Sequence, residues 1–128
     1  MSGRKNIASG TKWEDVVGYS RAVRTGNIVE VSGTVAVEGD KIISENDAYG
    51  QTKYILGKIE KALRDAGAST GDVIRTRIFV TDISKWLDIG KAHGEFFKDI
   101  RPATTMVQVS SLISPGLLVE IEATAIIN

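Results

Sequence analysis

The sequence contains no cysteine, and that one absence removes disulfides, thiolate nucleophiles and cysteine metal sites together. It holds a single histidine, His93, so an imidazole-based metal site has no second ligand to draw on. Neither a metal nor a cofactor is expected. Sixteen lysines and arginines balance sixteen aspartates and glutamates, leaving no net field to gather nucleic acid or an anionic membrane. Aromatics are few: two tryptophans, three tyrosines and three phenylalanines. No stretch approaches the roughly 20 apolar residues of a spanning helix. The opening segment MSGRKNIASGTKWEDVVG also lacks the apolar run of a signal peptide. A cytosolic protein without a membrane partner is the expectation. Two prolines, thirteen scattered glycines and no repeat or low-complexity block fit one domain over residues 1–128, long enough to bury a core without staples.

What is present is patterned. YSRAVRTGNIVEVSGT, Tyr19 to Thr34, reads as two strands joined at Thr25-Gly26-Asn27, because glycine and asparagine supply the positive φ of a tight hairpin. A third short strand is expected at Val35–Val37 or Lys41–Ile43 around the turn EGDK, making a β-meander. From Ala48 to Ala66, Thr52, Ile55, Ile59, Ala62, Leu63 and Ala66 recur at helical spacing, with Ser44, Asn46 and Asp47 as candidate caps and Gly67 as the stop. DVIRTRIFVTD alternates: Ile74, Thr76, Ile78 and Val80 on one side, Val73, Arg75, Arg77, Phe79 and Thr81 on the other. A second helix over Lys85–Phe97, capped by Asp82 or Ser84, is predicted to bury Trp86, Ile89 and Phe96 or Phe97. PATTMVQV and LLVEIEATAII close the chain as strands.

The order predicts an α+β fold, a mixed sheet with two helices on one face. The other face then collects Arg75, Arg77, Glu120, Glu122, Thr104, Met106 and Gln108. That set is too polar for a core and too orderly for plain exposure, and a symmetric oligomer with polar clefts between subunits would account for it.

GYSRAVRTGNIVEVSGT, GDVIRTRIFVTDI, HGEFF, RPATTMVQVSSL and LVEIEATA together resemble the RidA/YjgF family, whose members carry the labels enamine/imine deaminase, endoribonuclease L-PSP and translation inhibitor. The resemblance runs in order from about Tyr19 to Ala125 and implies a chorismate-mutase-like fold assembled as a homotrimer with ligand clefts between subunits. It also implies a site. Tyr19 matches the family's cleft tyrosine, Ser32 and Gly33 its Ser-Gly pair, and Glu120 the glutamate of its VEIEA motif. Deaminating members carry an arginine after the Pro-Ala of the penultimate strand, where its guanidinium forks onto the substrate carboxylate. Here that place is Thr104. Gly90 stands where some members have an asparagine, Gly18 replaces a proline, and Arg21 replaces a glutamine.

Glu120 is therefore the catalytic candidate, as the group that would position water against a C=N carbon. Tyr19, Arg21, Ser32, Gly33, Thr104 and Met106 are the candidate substrate-binding residues. Replacing a bidentate cation by a hydroxyl costs on the order of 2 to 5 kcal/mol, so efficient hydrolysis of simple 2-imino acids is not expected. Arg101 reads as a loop charge, and Arg75 and Arg77 as cross-strand partners of Glu120 and Glu122. His93 is expected at the helix surface. Glu120 and Glu122, two apart on one strand, leave no defined gap for glycoside hydrolysis.

Three functions stay open. One is a small-metabolite hydrolase deaminating an enamine or imine other than a simple 2-imino acid. A second is a non-catalytic metabolite binder or sensor. The third is an endoribonuclease L-PSP-type translation inhibitor, against which the even charge and sparse aromatics count.

Overall fold

The computed structural model describes residues 3–128. Its elements in chain order are β1 (Arg4–Ile7), α1 (Lys12–Val17), β2 (Ala22–Thr25), β3 (Ile28–Val35), β4 (Val37–Glu38), β5 (Lys41–Ile42), α2 (Ala48–Asp65), β6 (Val73–Val80), α3 (Trp86–Phe97), β7 (Ala103–Gln108) and β8 (Val119–Ile126). Six strands form one mixed sheet in the order β1-β2-β3-β8-β6-β7, while β4 and β5 pair apart from it as a short ribbon. All pairings in the large sheet are antiparallel except β6 with β7.

The core lies between the sheet and the two long helices. Val29, Val31, Ile78, Val80, Val119, Ile121, Ala123 and Ala125 face Ile55, Leu56, Ile59 and Leu63 of α2 and Ile89 and Phe97 of α3. Helix α2 starts where Asp47 accepts a hydrogen bond from the Gly50 amide at 3.0 Å, meeting one of the orphan donors of the first turn. It stops at Gly67, whose φ of 88° is open to glycine and strained for other residues. The β2–β3 hairpin turns on Gly26 and Asn27, with Gly26 at φ 58°.

Several expectations are corrected. The N-terminal strand β1, paired to β2, and the helix α1 carry too short an apolar pattern to be read from sequence. The expected meander stops at β3, since β4 and β5 leave the sheet. At the start of β6 the register slips between Val73 and Arg75, so Val73 turns into the core and Ile74 is left exposed. Such a bulge reverses the alternation on one side of it. Trp86 is 53% exposed, because the preceding 3-10 turn at Ile83–Lys85 sets the phase of α3 so that Ile89, Ala92 and Phe97 are the residues buried.

The assignment of β7 is also reversed. Thr104 pairs with Thr76, Met106 with Ile78 and Gln108 with Val80, all of which point to the helices. Thr104, Met106 and Gln108 therefore lie on the helix side, whereas Thr105 joins Arg75 on the open face, accepting from its Nη2 at 2.8 Å. On an edge strand both faces are partly wet, so alternation alone does not say which faces inward. The expected cross-strand ion pair is present in one case: Arg77 reaches Glu122 at 3.4 Å.

Candidate functional site

Two groups of polar side chains stand out, one at the centre of the sheet and one toward its β7 edge. The first is built around a bulge in β3. Register slips between Val31 and Thr34, and the Ser32-Gly33 pair lies in that irregularity opposite β8. A side chain at Gly33 would collide with the Glu120 carboxylate, whose carboxyl carbon stands 3.1 Å from where its Cβ would be. Glycine is thus what lets Glu120 lie against the backbone of β3. The Ser32 hydroxyl donates to Ser20 O at 2.7 Å, closing the bulge onto the segment that enters β2.

Helix α1 supplies the rest of the frame. Its C-cap Gly18, at φ 84°, allows both the Gly18 and Tyr19 amides to donate to Glu14 O, at 2.9 and 3.1 Å, which fixes Tyr19 at the mouth of β2. The Glu14 side chain is buried and accepts from the Ser9 amide at 3.1 Å and from the Ser9 hydroxyl. Burial raises its carboxyl, but these bonds and that from Thr11 outweigh it and hold the group below its ordinary value.

Arg21 is the organising cation. Its Nη1 donates to Gly33 O at 3.0 Å and to Thr34 Oγ1 at 2.9 Å, and its guanidinium lies 5.7 Å from the Tyr19 ring centroid. Its Nε is buried without a partner. An unsatisfied buried donor is a cost that the rest of the fold must offset. Burial pushes the Glu120 carboxyl above its ordinary value; Arg21 pulls it down and Glu122 adds to the rise. Lys58 of α2, not anticipated from the sequence, donates to Val37 O at 3.1 Å, and burial together with Arg21 pushes its ammonium down. The structure thus brings together Tyr19, Arg21, Ser32, Gly33 and Glu120.

Thr104 and Met106 are not with them. They lie on β7, two strands from Glu120 and on the opposite face of the sheet. Met106 is half-buried and packs on the core. Thr104 is exposed and joins a second polar group: its hydroxyl lies 2.8 Å from Thr76 Oγ1, which lies 2.9 Å from His93 Nε2. His93 is not at the helix surface as expected. It is partly buried against Phe97, with ring centroids 4.7 Å apart, and desolvation holds its imidazole below the ordinary value. An open cleft of about 270 Å³ beside it is lined by His93, Gly94, Phe97, Lys98, Arg101 and Pro102. A threonine among the apolar positions of β6 was the available signal for this group, since a buried hydroxyl requires partners. Among the described residues no three metal-ligating side chains cluster, and no helix is long and apolar enough to cross a membrane.

A mixed sheet with two helices on one face, and a glutamate seated on a Ser-Gly bulge at its centre, define the chorismate-mutase-like architecture of the RidA/YjgF class. The chain belongs to that family: the model described as Endoribonuclease L-PSP matches residues 10–127. A crystal structure of a Mycobacterium tuberculosis member of the YjgF/YER057c/UK114 family superposes with a TM-score of 0.88 at 51% identity, covering 98% of this chain and 100% of that one. An uncharacterised protein of Streptomyces coelicolor is 37% identical over 121 residues, 94% of this chain and 90% of its own length. The 3-aminoacrylate deaminase RutC of Acinetobacter baylyi is 36% identical over 108 residues, 84% of this chain and 85% of its own.

Proposed function

We propose that the chain works as a homotrimer binding a small metabolite in clefts between subunits, and that it deaminates an enamine whose nitrogen and carboxylate sit at opposite ends. The β7 edge of one subunit, with Thr104, would face the Tyr19–Arg21–Glu120 group of the next. This is the arrangement that joins two polar groups a single chain keeps apart.

The observation that carries the reading is Glu120, a half-buried carboxyl seated against Gly33, which burial raises above its ordinary value and the nearby Arg21 pulls down. Enamine hydrolysis asks for both forms of such a group. In its acid form Glu120 delivers a proton to the enamine carbon, giving the iminium. As carboxylate it then takes a proton from the water that adds to the C=N carbon. Ammonia leaves, so enamine plus water gives carbonyl compound plus ammonia. Arg21 is the guanidinium of this group and would pair with the distant carboxylate. A 2-imino acid, whose carboxylate adjoins the C=N carbon, lacks that reach and finds no guanidinium at Thr104. The compound for which the Acinetobacter baylyi relative is named, 3-aminoacrylate, has the required separation.

The test is ammonia release from 3-aminoacrylate generated in situ. Wild-type protein should accelerate it and Glu120→Gln should lose roughly 10²-fold or more. Acceleration unchanged in Glu120→Gln would remove the glutamate from the chemistry.

A further inference from the structure

The hydroxyl at Thr104 does not stand alone, and the hydrogen count of its neighbours fixes what it can offer. Three contacts run in series: His93 Nε2 to Thr76 Oγ1 at 2.9 Å, Thr76 Oγ1 to Thr104 Oγ1 at 2.8 Å, and Thr104 Oγ1 to Pro102 O at 3.2 Å. Pro102 O only accepts, so a chain that uses all three contacts has one direction. His93 Nε2–H donates to Thr76, Thr76 to Thr104, and Thr104 to Pro102 O. In the reverse direction Thr104 donates to Thr76 and Thr76 to His93, and the carbonyl loses its donor. In the first order Thr104 receives the proton of Thr76 and gives its own to Pro102 O. What its exposed hydroxyl keeps for a ligand is an oxygen lone pair.

We propose that His93 is the positioning residue of this relay, and that through the buried Thr76 it makes Thr104 a hydrogen-bond acceptor toward the cleft. This rests on the cleft of the preceding section and names the ligand chemistry it selects at this edge. The group received there is a donor, such as an amine, amide or hydroxyl. A carboxylate meets a lone pair and is disfavoured. The polarity is the reverse of a guanidinium, which only donates. Arg101 lines the neighbouring open cleft, where its Nε donates to Lys98 O at 3.1 Å and its backbone turns at φ 56°. Thr76 is fully buried, so without His93 its hydroxyl has one partner fewer and the proton order is no longer imposed.

Because His93 is the only histidine, its two ring nitrogens can be read without assignment in a uniformly 15N-labelled protein. The neutral ring should be the Nε2–H tautomer, and Thr76→Val should mix the tautomers. An Nδ1–H ring in the wild type overturns the direction of the relay.

The ligand preference is tested with two probes of one shape, malonamate and malonate, whose second ends are an amide and a carboxylate. By calorimetry malonamate should bind at least about tenfold tighter, a difference of one hydrogen-bonded group. Thr104→Val should abolish that ratio and Thr104→Arg invert it. His93→Leu should reduce the ratio while His93→Gln, whose amide can still donate to Thr76, retains it. Malonate bound as tightly as malonamate, neither probe bound by a trimeric protein, or a ratio indifferent to Thr104 and His93 would overturn the proposal. A chain that sediments as a monomer would instead contradict the shared cleft, and the imidazole signals would still judge the relay.

Discussion

At the scale of single residues, the proposed site turns on a glycine, a glutamate and an arginine. Gly33 leaves the space in which the Glu120 carboxylate lies, so Gly33→Ala should displace that carboxylate and abolish deamination while the protein remains folded, as circular dichroism and activity together would show. Glu120 also sets a pH dependence of stability. Its folded value is raised above the unfolded one by burial, so the folded state binds more protons than the unfolded state in the window between the two. Stability from this group is fully present below the unfolded value and is lost as pH rises through the folded value. Glu120→Gln removes the titration. It should therefore melt higher than wild type at pH 7, with the gap closing as the pH falls toward 4.5; a gap that widens in acid would contradict the sign. That Tyr19, Ser32, Gly33 and Glu120 lie together was legible because short motifs carry them. His93 was not, because a lone histidine on a helix has no sequence signal that distinguishes a surface ring from one reaching a buried threonine on β6.

Elements were legible where local chemistry decides them. The β2–β3 hairpin follows from Gly26-Asn27, and α2 follows from its apolar spacing between Asp47 and Gly67. Asp47→Ala should cost about 1 kcal/mol in chemical denaturation, the usual worth of an N-cap. Gly67→Ala should cost on the order of 1–2 kcal/mol for the left-handed backbone alone. A Cβ there would also stand 2.6 Å from Arg24 Nη1, the group that donates to Ala66 O at 2.9 Å. Elements whose facing depends on distant partners were not legible. The bulge that buries Val73 in place of Ile74 arises from the register against β8, and the facing of Thr104 arises from pairing with β6. Neither partner is visible in the local alternation.

At the scale of the whole molecule, the polar open face and the free edge of β7 ask for a second copy. Arg75, Arg77, Glu122 and Thr105 share a face that α2 and α3 leave uncovered. Sedimentation equilibrium should give three times the 13.8 kDa chain mass. Because Thr104 and Glu120 lie on opposite faces two strands apart, activity should require that assembly and fall on dilution together with it.

The separation of amine and carboxylate in the substrate is the central claim, and a comparison of rates tests it most directly. Ammonia release from 3-aminoacrylate and from 2-iminobutyrate, each generated in situ, should be measured for wild type and Thr104→Arg. The wild type should accelerate the first and leave the second near its uncatalysed rate, and Thr104→Arg should gain 2-iminobutyrate hydrolysis. A wild type that hydrolyses 2-iminobutyrate as readily as 3-aminoacrylate would contradict the account.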